Sequence, residues 1–280
     1  MKKILITGGN GFLGRNLLRE ISKIKHYNIA ATYRKNTSNL RSFKNIKLIK
    51  LDLKNKKKNW YLECGKPDIV IHLAWDYLNN FEDIRHEKKL LNLHYLFLSN
   101  LIKSGLKNIV IAGTCLEYGK IEGELRENIK SKPIVSYAVA KNKLRLKILK
   151  LNKKFKFNYS WLRFFYIYGD DANSKLYTDL NRSIHKKNKY FKMSKGDQVR
   201  DFINIKLINK YISKIIMNHR NNGVINICSG KPISVKSLVK KWIIKKKSSI
   251  KPKYGYYDYI NYEPMEFWGS ADKLKKILNK

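Results

Sequence analysis

Residues 3–14 read KILITGGNGFLG, a short apolar run followed at once by four glycines in seven residues. Apolar residues then recur with a helical period over 12–24, so the glycine loop lies between a predicted strand and a predicted helix. In that place Gly8 permits a tight turn, Gly11 lets the backbone approach a pyrophosphate, and Gly14 lets the helix pack closely on the strand. The N–H groups at the helix start would face the anion. A plain glycine-rich turn is the alternative, whereas a Walker A loop is excluded because no Gly-Lys-Ser/Thr follows.

The residue after the second predicted strand bears on which dinucleotide would bind. An acidic residue near this point usually bonds the ribose 2′-OH of NAD, but this sequence has Arg34. A guanidinium suits a 2′-phosphate, so the sequence favours NADP(H) over NAD(H); one more surface arginine in a basic chain is the alternative. Asp52, after the third predicted strand, either bonds the adenine amino group or caps the next turn.

Short apolar strands alternate with amphipathic helices along the chain. Strands are predicted over 3–7, 28–33, 46–51, 68–73, 108–112 and 158–165, and helices over 12–24, 90–102, 137–151, 173–187, 205–217 and 234–245. This alternation predicts an α/β fold with a doubly wound, Rossmann-type parallel sheet. The pattern loosens after residue 166. We therefore predict a dinucleotide-binding domain over 1–165 and a smaller substrate-binding lobe over 166–280, with a strand at 224–228 returning to the main sheet.

The net charge of +39 raises the question of a nucleic-acid partner. The lysines are spread along the whole chain, however, as in the runs at 56–58 and 245–247. No helix-turn-helix, zinc-finger or RNP motif accompanies them. We therefore predict a basic surface that attracts anionic ligands such as nucleotide sugars, and no specific nucleic-acid site.

The sequence carries no sign of export or of a metal site. No apolar run reaches the roughly 18 residues of a membrane helix, and the segment before Gly8 is too short for a signal peptide. The three cysteines lack CxxC spacing, which favours reduced thiols and argues against a metal site. We expect a cytoplasmic protein without membrane insertion.

A possible acid/base pair lies in SYAVAK at 136–141, where Tyr137 and Lys141 share one face of a predicted helix. An ammonium lowers the pKa of a neighbouring phenol from about 10, and the phenol can then exchange a proton with a carbinol or carbonyl oxygen. The lysine can also hold a nicotinamide ribose. Thr114 ends a buried strand at the sheet edge where ligands bind, and its hydroxyl could bond the same oxygen. A YxxxK spacing is common by chance in so lysine-rich a chain, which leaves the question open on these residues alone.

Over most of its length the chain resembles the extended short-chain dehydrogenase/reductase family of nucleotide-sugar epimerases, dehydratases and reductases. The segments that carry the resemblance, in the family's order and spacing, are TGGNGFLG at 7–14, DL at 52–53, IHLA at 71–74, GTCLEYG at 113–119, YAVAK at 137–141, LRFFYIYG at 162–169, VRDFINI at 199–205 and NICSG at 226–230. The resemblance implies that Tyr137 is the acid/base, Lys141 its partner and Thr114 the family's Ser/Thr. It also implies that Arg200 contacts the substrate diphosphate, a role that a guanidinium fork fits. The implied cofactor-binding residues are Gly8, Asn10, Gly11, Phe12, Leu13, Gly14, Arg34, Asp52, Leu53, Leu73, Ala74, Trp75, Tyr137 and Lys141, with Leu73-Ala74-Trp75 on the nicotinamide side.

Two segments depart from the family pattern. The asparagine that usually helps to hold the nucleotide-sugar phosphates is Tyr166 here, so we count Tyr166 with Thr114 and Arg200 among the substrate-binding residues. The family's 4,6-dehydratases carry Asp-Glu directly after the Ser/Thr, where this chain has Cys115 and Leu116. Glu117 comes one residue late, and in an extended segment that shift turns its side chain to the other face. The sequence therefore argues against a dehydratase.

Two reactions remain. A reductase binds NADPH, reduces a keto sugar and releases NADP, whereas an epimerase keeps its cofactor while it oxidises a sugar carbon and reduces it again. Arg34 favours the reductase, and the segments at 113–119 and 262–268 resemble bacterial nucleotide-activated 4-keto-6-deoxyhexose reductases that make deoxysugars for surface polysaccharides. We therefore expect NADPH-dependent reduction at C4, with a nucleotide-sugar 4-epimerase as the alternative.

The helices predicted over 90–102 and 137–151 bear on oligomeric state, because both carry apolar residues on more than one face. In the first, Leu91, Phe97, Leu98 and Ile102 exceed what one apolar stripe needs. In the family that this chain resembles, the equivalent helices often pair, which implies a homodimer. A helix buried within the monomer accounts for the same pattern.

Overall fold

Strands and helices alternate through the structure, a computed structural model that describes residues 1–55, 59–169, 175–218 and 220–279. In chain order the strands are β1 (Lys2–Thr7), β2 (Tyr27–Tyr33), β3 (Ile46–Lys50), β4 (Ile69–His72), β5 (Asn108–Thr114), β6 (Gly123–Leu125), β7 (Asn158–Phe164), β8 (Tyr166–Tyr168), β9 (Tyr190–Lys192), β10 (Val199–Asn204), β11 (Gly223–Ile227), β12 (Pro232–Ser234), β13 (Lys251–Lys253) and β14 (Phe267–Gly269). The helices are α1 (Phe12–Ile21), α2 (Trp60–Glu63), α3 (Leu91–Lys103), α4 (Ser136–Phe155), α5 (Lys175–His185), α6 (Ile205–Asn218), α7 (Val235–Lys245) and α8 (Asp272–Leu278). The lysine run at 56–58 and the first two residues of the helix predicted over 173–187 lie outside the described residues.

The main sheet of the described chain has seven parallel strands in the order β11-β7-β5-β4-β1-β2-β3. This is the doubly wound Rossmann order with one further strand, and it confirms the predicted fold class. The strand order reverses between β1 and β4. A crevice therefore opens at that point, beyond the carboxyl ends of the strands.

The two faces of the sheet bury different residues of the same strand. Ile4 and Ile6 of β1 belong to the apolar core that contains residues of α1 and α6, whereas Leu5 belongs to the core that contains residues of α3 and α4. This division follows from the alternation of side chains along a strand. The helix predicted over 12–24 ends at Ile21, but Ile24 still packs against the first core from the turn that follows, which explains why it matched the helical period.

Beyond residue 165 the chain completes the main sheet and also builds a smaller unit. Strand β11 pairs with β7 at the sheet edge, and α6 packs beside α1. Two small sheets, β12-β10-β8 and β13-β9, contribute to a separate apolar core that includes Trp242 and Phe191. A third, β14-β6, buries Phe267 and Leu125 in another small core with Phe165. The division into 1–165 and 166–280 stays a prediction about function, since the later segment contributes to both parts.

The apolar surplus of α3 is accommodated within the chain. Phe97, Leu98 and Ile102 are buried in the core between the sheet and the helices, whereas Leu91 is half-buried, as are Leu93 and Leu96 of the same helix. This helix therefore gives no independent sign of a dimer, and the homodimer stays a prediction. No helix in the described part of the chain combines the length and apolarity that crossing a bilayer requires.

Candidate active site

A cleft of about 1910 Å³ runs along the carboxyl ends of the main strands and reaches the smaller unit. It brings together residues that are far apart in sequence. Every residue that the sequence indicated for the site lines it: Gly8, Asn10, Gly11, Phe12, Leu13, Gly14, Arg34, Asp52, Leu53, Leu73, Ala74, Trp75, Thr114, Tyr137, Lys141, Tyr166 and Arg200. Their roles stay predictions, but their placement in one cleft is what those roles require.

The glycine loop forms a cradle that larger residues would fill. Gly8 has φ +71°, and a Cβ there would lie 2.9 Å from backbone atoms of Ala74. A Cβ on Gly14 would lie 2.2 Å from the carbonyl oxygen of Gly8, so only glycine lets the helix approach the loop. Gly11 is the N-cap of α1 and supplies no side-chain cap to the first-turn N–H groups. This arrangement fits the pyrophosphate of a dinucleotide.

Charged residues of three strand ends meet at the β2 side of the cleft. Arg34 forms an ion pair with Asp76, a residue that sequence reasoning did not single out. The Asp52 carboxylate accepts a hydrogen bond from the Lys54 N–H at 3.0 Å. Asp52 therefore caps the following turn, one of its two expected roles, and it also lines the cleft.

The proposed acid/base residues line the cleft where the N-terminal half of α4 packs beside the end of β5. The Lys141 ammonium donates a hydrogen bond to the Ala112 carbonyl at 2.8 Å and lies 5.8 Å from the centre of the Tyr137 ring. Thr114 Oγ1 accepts a hydrogen bond from the Leu116 N–H at 3.3 Å. The hydroxyl hydrogen of Thr114 therefore stays available to a ligand in the cleft.

Burial controls the ionisation of this pair. Burial raises the pKa of Tyr137 well above its ordinary value of about 10, and the negative charge of Glu117 adds to the effect. Burial lowers the pKa of Lys141 to about 7, against the opposing attraction of Glu117. The expected lowering of the Tyr137 pKa is thus wrong for this structure, because the phenol is removed from water and Lys141 is not among the groups that shift its pKa. Tyr137 is a protonated donor at neutral pH.

Trp75 forms an aromatic platform beneath the lysine. Its ring lies 3.9 Å from the Lys141 Nζ and stacks on His94, with ring centres 4.3 Å apart and planes at 15°. Its indole N–H donates to His86 Nδ1 at 3.0 Å. Because that nitrogen accepts, His86 carries its proton on Nε2, which donates to the Asn80 carbonyl at 2.9 Å. The platform is therefore fixed by two neutral imidazoles.

These histidines were missed by sequence reasoning. His72 Nε2 lies 2.8 Å from His94 Nδ1, and His72 Nδ1 lies 2.8 Å from the Thr7 hydroxyl. Burial lowers the pKa of His72 to about 3, and the charge of Lys141 adds to that effect. Three of the six histidines in the sequence fall within 72–94, and this clustering is the signal by which they could have been identified. Within the described residues no group of three or more His, Cys, Asp or Glu could hold a metal ion.

Glu117 is a buried carboxylate in the turn that follows β5. Its segment, Cys115–Tyr118, is a 3₁₀ turn, so the extended backbone assumed from the sequence was wrong. The fully buried carboxylate accepts hydrogen bonds from the Thr114 N–H at 3.0 Å and the Trp161 indole at 2.8 Å. It also accepts one from Arg163 Nε at 2.9 Å. These hydrogen bonds hold the Glu117 carboxylate inside the core. They argue against Glu117 as a dehydratase acid or base, in place of the one-residue shift in an extended segment.

The part of the cleft that reaches the smaller unit contains a buried ion pair. Arg200 Nε and Nη2 donate to Glu263 Oε2 at 3.3 and 3.0 Å, while Nη1 donates to the carbonyls of Val199 and Met265. Arg200 is only 5% exposed. A diphosphate on Arg200 must therefore share or displace Glu263. Burial, and then the Glu263 carboxylate, raises the pKa of Tyr166 well above its ordinary value, so Tyr166 offers a neutral phenol to the cleft.

Similarity to known proteins agrees with this geometry. The sequence profile described as "NAD dependent epimerase/dehydratase family" matches residues 4–228. A dTDP-6-deoxy-L-talose 4-dehydrogenase (NAD(+)) of Aggregatibacter actinomycetemcomitans is 32% identical over 273 residues, which cover 95% of this chain and 99% of that protein. A GDP-6-deoxy-D-talose 4-dehydrogenase of the same organism is 28% identical over 245 residues, covering 83% of this chain and 76% of that protein.

A solved structure shows the same fold. The UDP-glucuronic acid 4-epimerase from Bacillus cereus, in complex with UDP-glucuronic acid and NAD, superposes with a TM-score of 0.85 at 21% identity. The match covers 99% of this chain and 93% of that one. Together with the profile match, it confirms the resemblance drawn from the sequence motifs. The chain belongs to the NAD dependent epimerase/dehydratase family, within the extended short-chain dehydrogenases/reductases.

Proposed function

We propose that this protein reduces the C4 keto group of a nucleotide-activated 4-keto-6-deoxyhexose with NADPH. The observation that carries the proposal is the arrangement of Thr114, Tyr137 and Lys141 around one cleft in a chain so similar to a 6-deoxyhexose 4-dehydrogenase. A dehydrogenase and a reductase acting on the same carbon catalyse one reaction in opposite directions. The relatives' names thus support the site of reaction, C4, rather than its direction.

The protein's own residues suit the reductive direction. The glycine loop would hold the dinucleotide, which supplies the hydride when bound. Tyr137 is protonated at neutral pH and would give its phenolic proton to the C4 oxygen as negative charge develops there. Thr114 would donate its remaining hydroxyl hydrogen to the same oxygen. The Lys141 ammonium would stabilise the resulting phenolate until water returns the proton.

The second part of the proposal is the preference for NADP(H) over NAD(H). Arg34 lies directly after β2, at the place where a guanidinium suits a 2′-phosphate, and this supports NADP(H). The talose relative that is named for NAD(+) supports NAD(H) instead. We also propose a cytoplasmic role in deoxysugar synthesis for surface polysaccharides, where nucleotide-activated sugars are the precursors.

The reaction is tested by incubating the purified protein with dTDP-, GDP- and UDP-linked 4-keto-6-deoxyhexoses and either NADPH or NADH. Loss of nicotinamide absorbance with formation of a 6-deoxyhexose product supports the proposal. A nucleotide-sugar 4-epimerase is the second candidate, because the same three residues would serve proton transfer in both directions if a retained dinucleotide accepted the C4 hydride and returned it to the other face of the sugar. Conversion of a nucleotide hexose into its C4 epimer without net consumption of reduced cofactor, and no reduction of any 4-keto sugar, would establish that alternative.

A further inference from the structure

An ion pair joins two strand ends that are not neighbours in the sheet. Arg34 follows β2, and Asp76 lies in the loop after β4, while β1 and its glycine loop lie between them. Both residues line the cleft, and their side chains are 43% and 34% exposed. The pair therefore spans the region where the glycine loop would hold a dinucleotide.

The Arg34–Asp76 pair places a cation and a carboxylate where a Rossmann sheet usually has one residue that reads the ribose 2′ position. In Rossmann sheets the residue near the end of β2 reads the ribose 2′ position, an acidic residue bonding the 2′-OH and an arginine accommodating a 2′-phosphate. This chain has the arginine at that place and obtains a carboxylate from another strand. Asp52 is less suited to this role, since its carboxylate caps the turn through Lys54.

We propose that Asp76 is a specificity-determining residue that weakens the preference for NADP(H) created by Arg34. Its carboxylate competes with a 2′-phosphate for the Arg34 N–H donors and repels that phosphate, because both carry negative charge. It does not oppose a ribose hydroxyl, from which it can accept a hydrogen bond. The inference rests on the dinucleotide half of the proposed function and needs no assumption about the sugar.

The test is equilibrium binding of NADPH and of NADH, followed by dinucleotide fluorescence without any sugar. Asp76→Asn should tighten NADPH binding by about 3- to 10-fold, the range expected for like charges at a partly exposed site. NADH affinity should stay the same or fall. The gain should shrink at high salt, where exposed charges are screened.

Asp83→Asn is the matched control, because Asp83 also pairs with an exposed arginine, Arg85, in the same loop. This variant should alter neither affinity. In an Arg34→Ser background, Asp76→Asn should lose most of its effect, since the competition requires the guanidinium.

An unchanged ratio of NADPH to NADH affinity in Asp76→Asn overturns this proposal alone, as does an equal change in Asp83→Asn. Binding of neither dinucleotide by the unaltered protein overturns the proposed function together with it. Retained NADH binding by Asp76→Asn shows that the variant is folded, so a failed gain cannot be attributed to unfolding.

Discussion

Replacing Glu117 with Gln should destabilise the fold strongly, although the two side chains have nearly the same shape. The substitution keeps an acceptor for the Thr114 and Trp161 N–H groups, so it opens no cavity. It removes the negative charge that faces Arg163, whose side chain is 2% exposed. The buried cation then lacks its counter-ion.

The expected loss can be estimated from this contact. Removing one partner of a buried ion pair costs about 3–5 kcal/mol, because the remaining charge stays buried and uncompensated. For a chain of this size, that loss lowers the midpoint of thermal unfolding by roughly 10 °C. The exposed Glu124–Arg126 pair is the matched control, since its side chains are 38% and 57% exposed. Glu124→Gln should cost less than about 1 kcal/mol.

Urea and thermal unfolding followed by circular dichroism measure both variants. A Glu117→Gln protein as stable as the unaltered chain would refute the structural role assigned to this carboxylate. Loss of turnover at unchanged stability would instead identify Glu117 as a group that takes part in the chemistry.

Three further substitutions test the site, one of them through the pH dependence of the rate. Tyr137→Phe should lower kcat about 10²- to 10⁴-fold through loss of the proton donor, with NADPH affinity by fluorescence nearly unchanged; an unaltered rate removes Tyr137 from this role. The kcat/KM of the free enzyme should decline as pH rises through about 7, because Lys141 loses its ammonium proton there, and Lys141→Arg should move that decline to higher pH. Arg200→Met should raise the KM for the nucleotide sugar about 10- to 100-fold, the value of a charged hydrogen bond, while NADPH affinity stays constant; an unchanged KM argues against a diphosphate contact.

The parts of the fold and site that could be predicted are those that depend on residues close together in the sequence and on regular spacing along a helix or strand. The run from Ile4 to Gly14 encodes a strand, a turn and a helix in one stretch, and the structure forms them there. Tyr137 and Lys141 face the same cleft because four residues separate them on a helix. Thr114 reaches the same cleft because the carboxyl ends of parallel strands share one edge of the sheet.

What could not be predicted depends on contacts between distant segments. Glu117 is held by Trp161, which is 44 positions away, so neither residue by itself indicates a buried carboxylate. The Arg34–Asp76 pair joins residues 42 positions apart on strands that only the sheet order relates. The direction of the Tyr137 pKa shift depends on how completely the folded chain excludes water from the phenol, and no sequence spacing reports that.

Transfer of deuterium follows the proposed hydride from the nicotinamide ring to the sugar. The protein is incubated with NADPH that carries deuterium at both C4 positions of the nicotinamide ring and with a nucleotide-linked 4-keto-6-deoxyhexose, and the product is characterised by mass spectrometry and NMR. We predict one deuterium at sugar C4 for each NADPH oxidised, with the hydroxyl proton drawn from water through Tyr137. A product without deuterium at C4, or no oxidation of reduced cofactor with any of these sugars, would show that the protein does not reduce C4 of a 4-keto sugar.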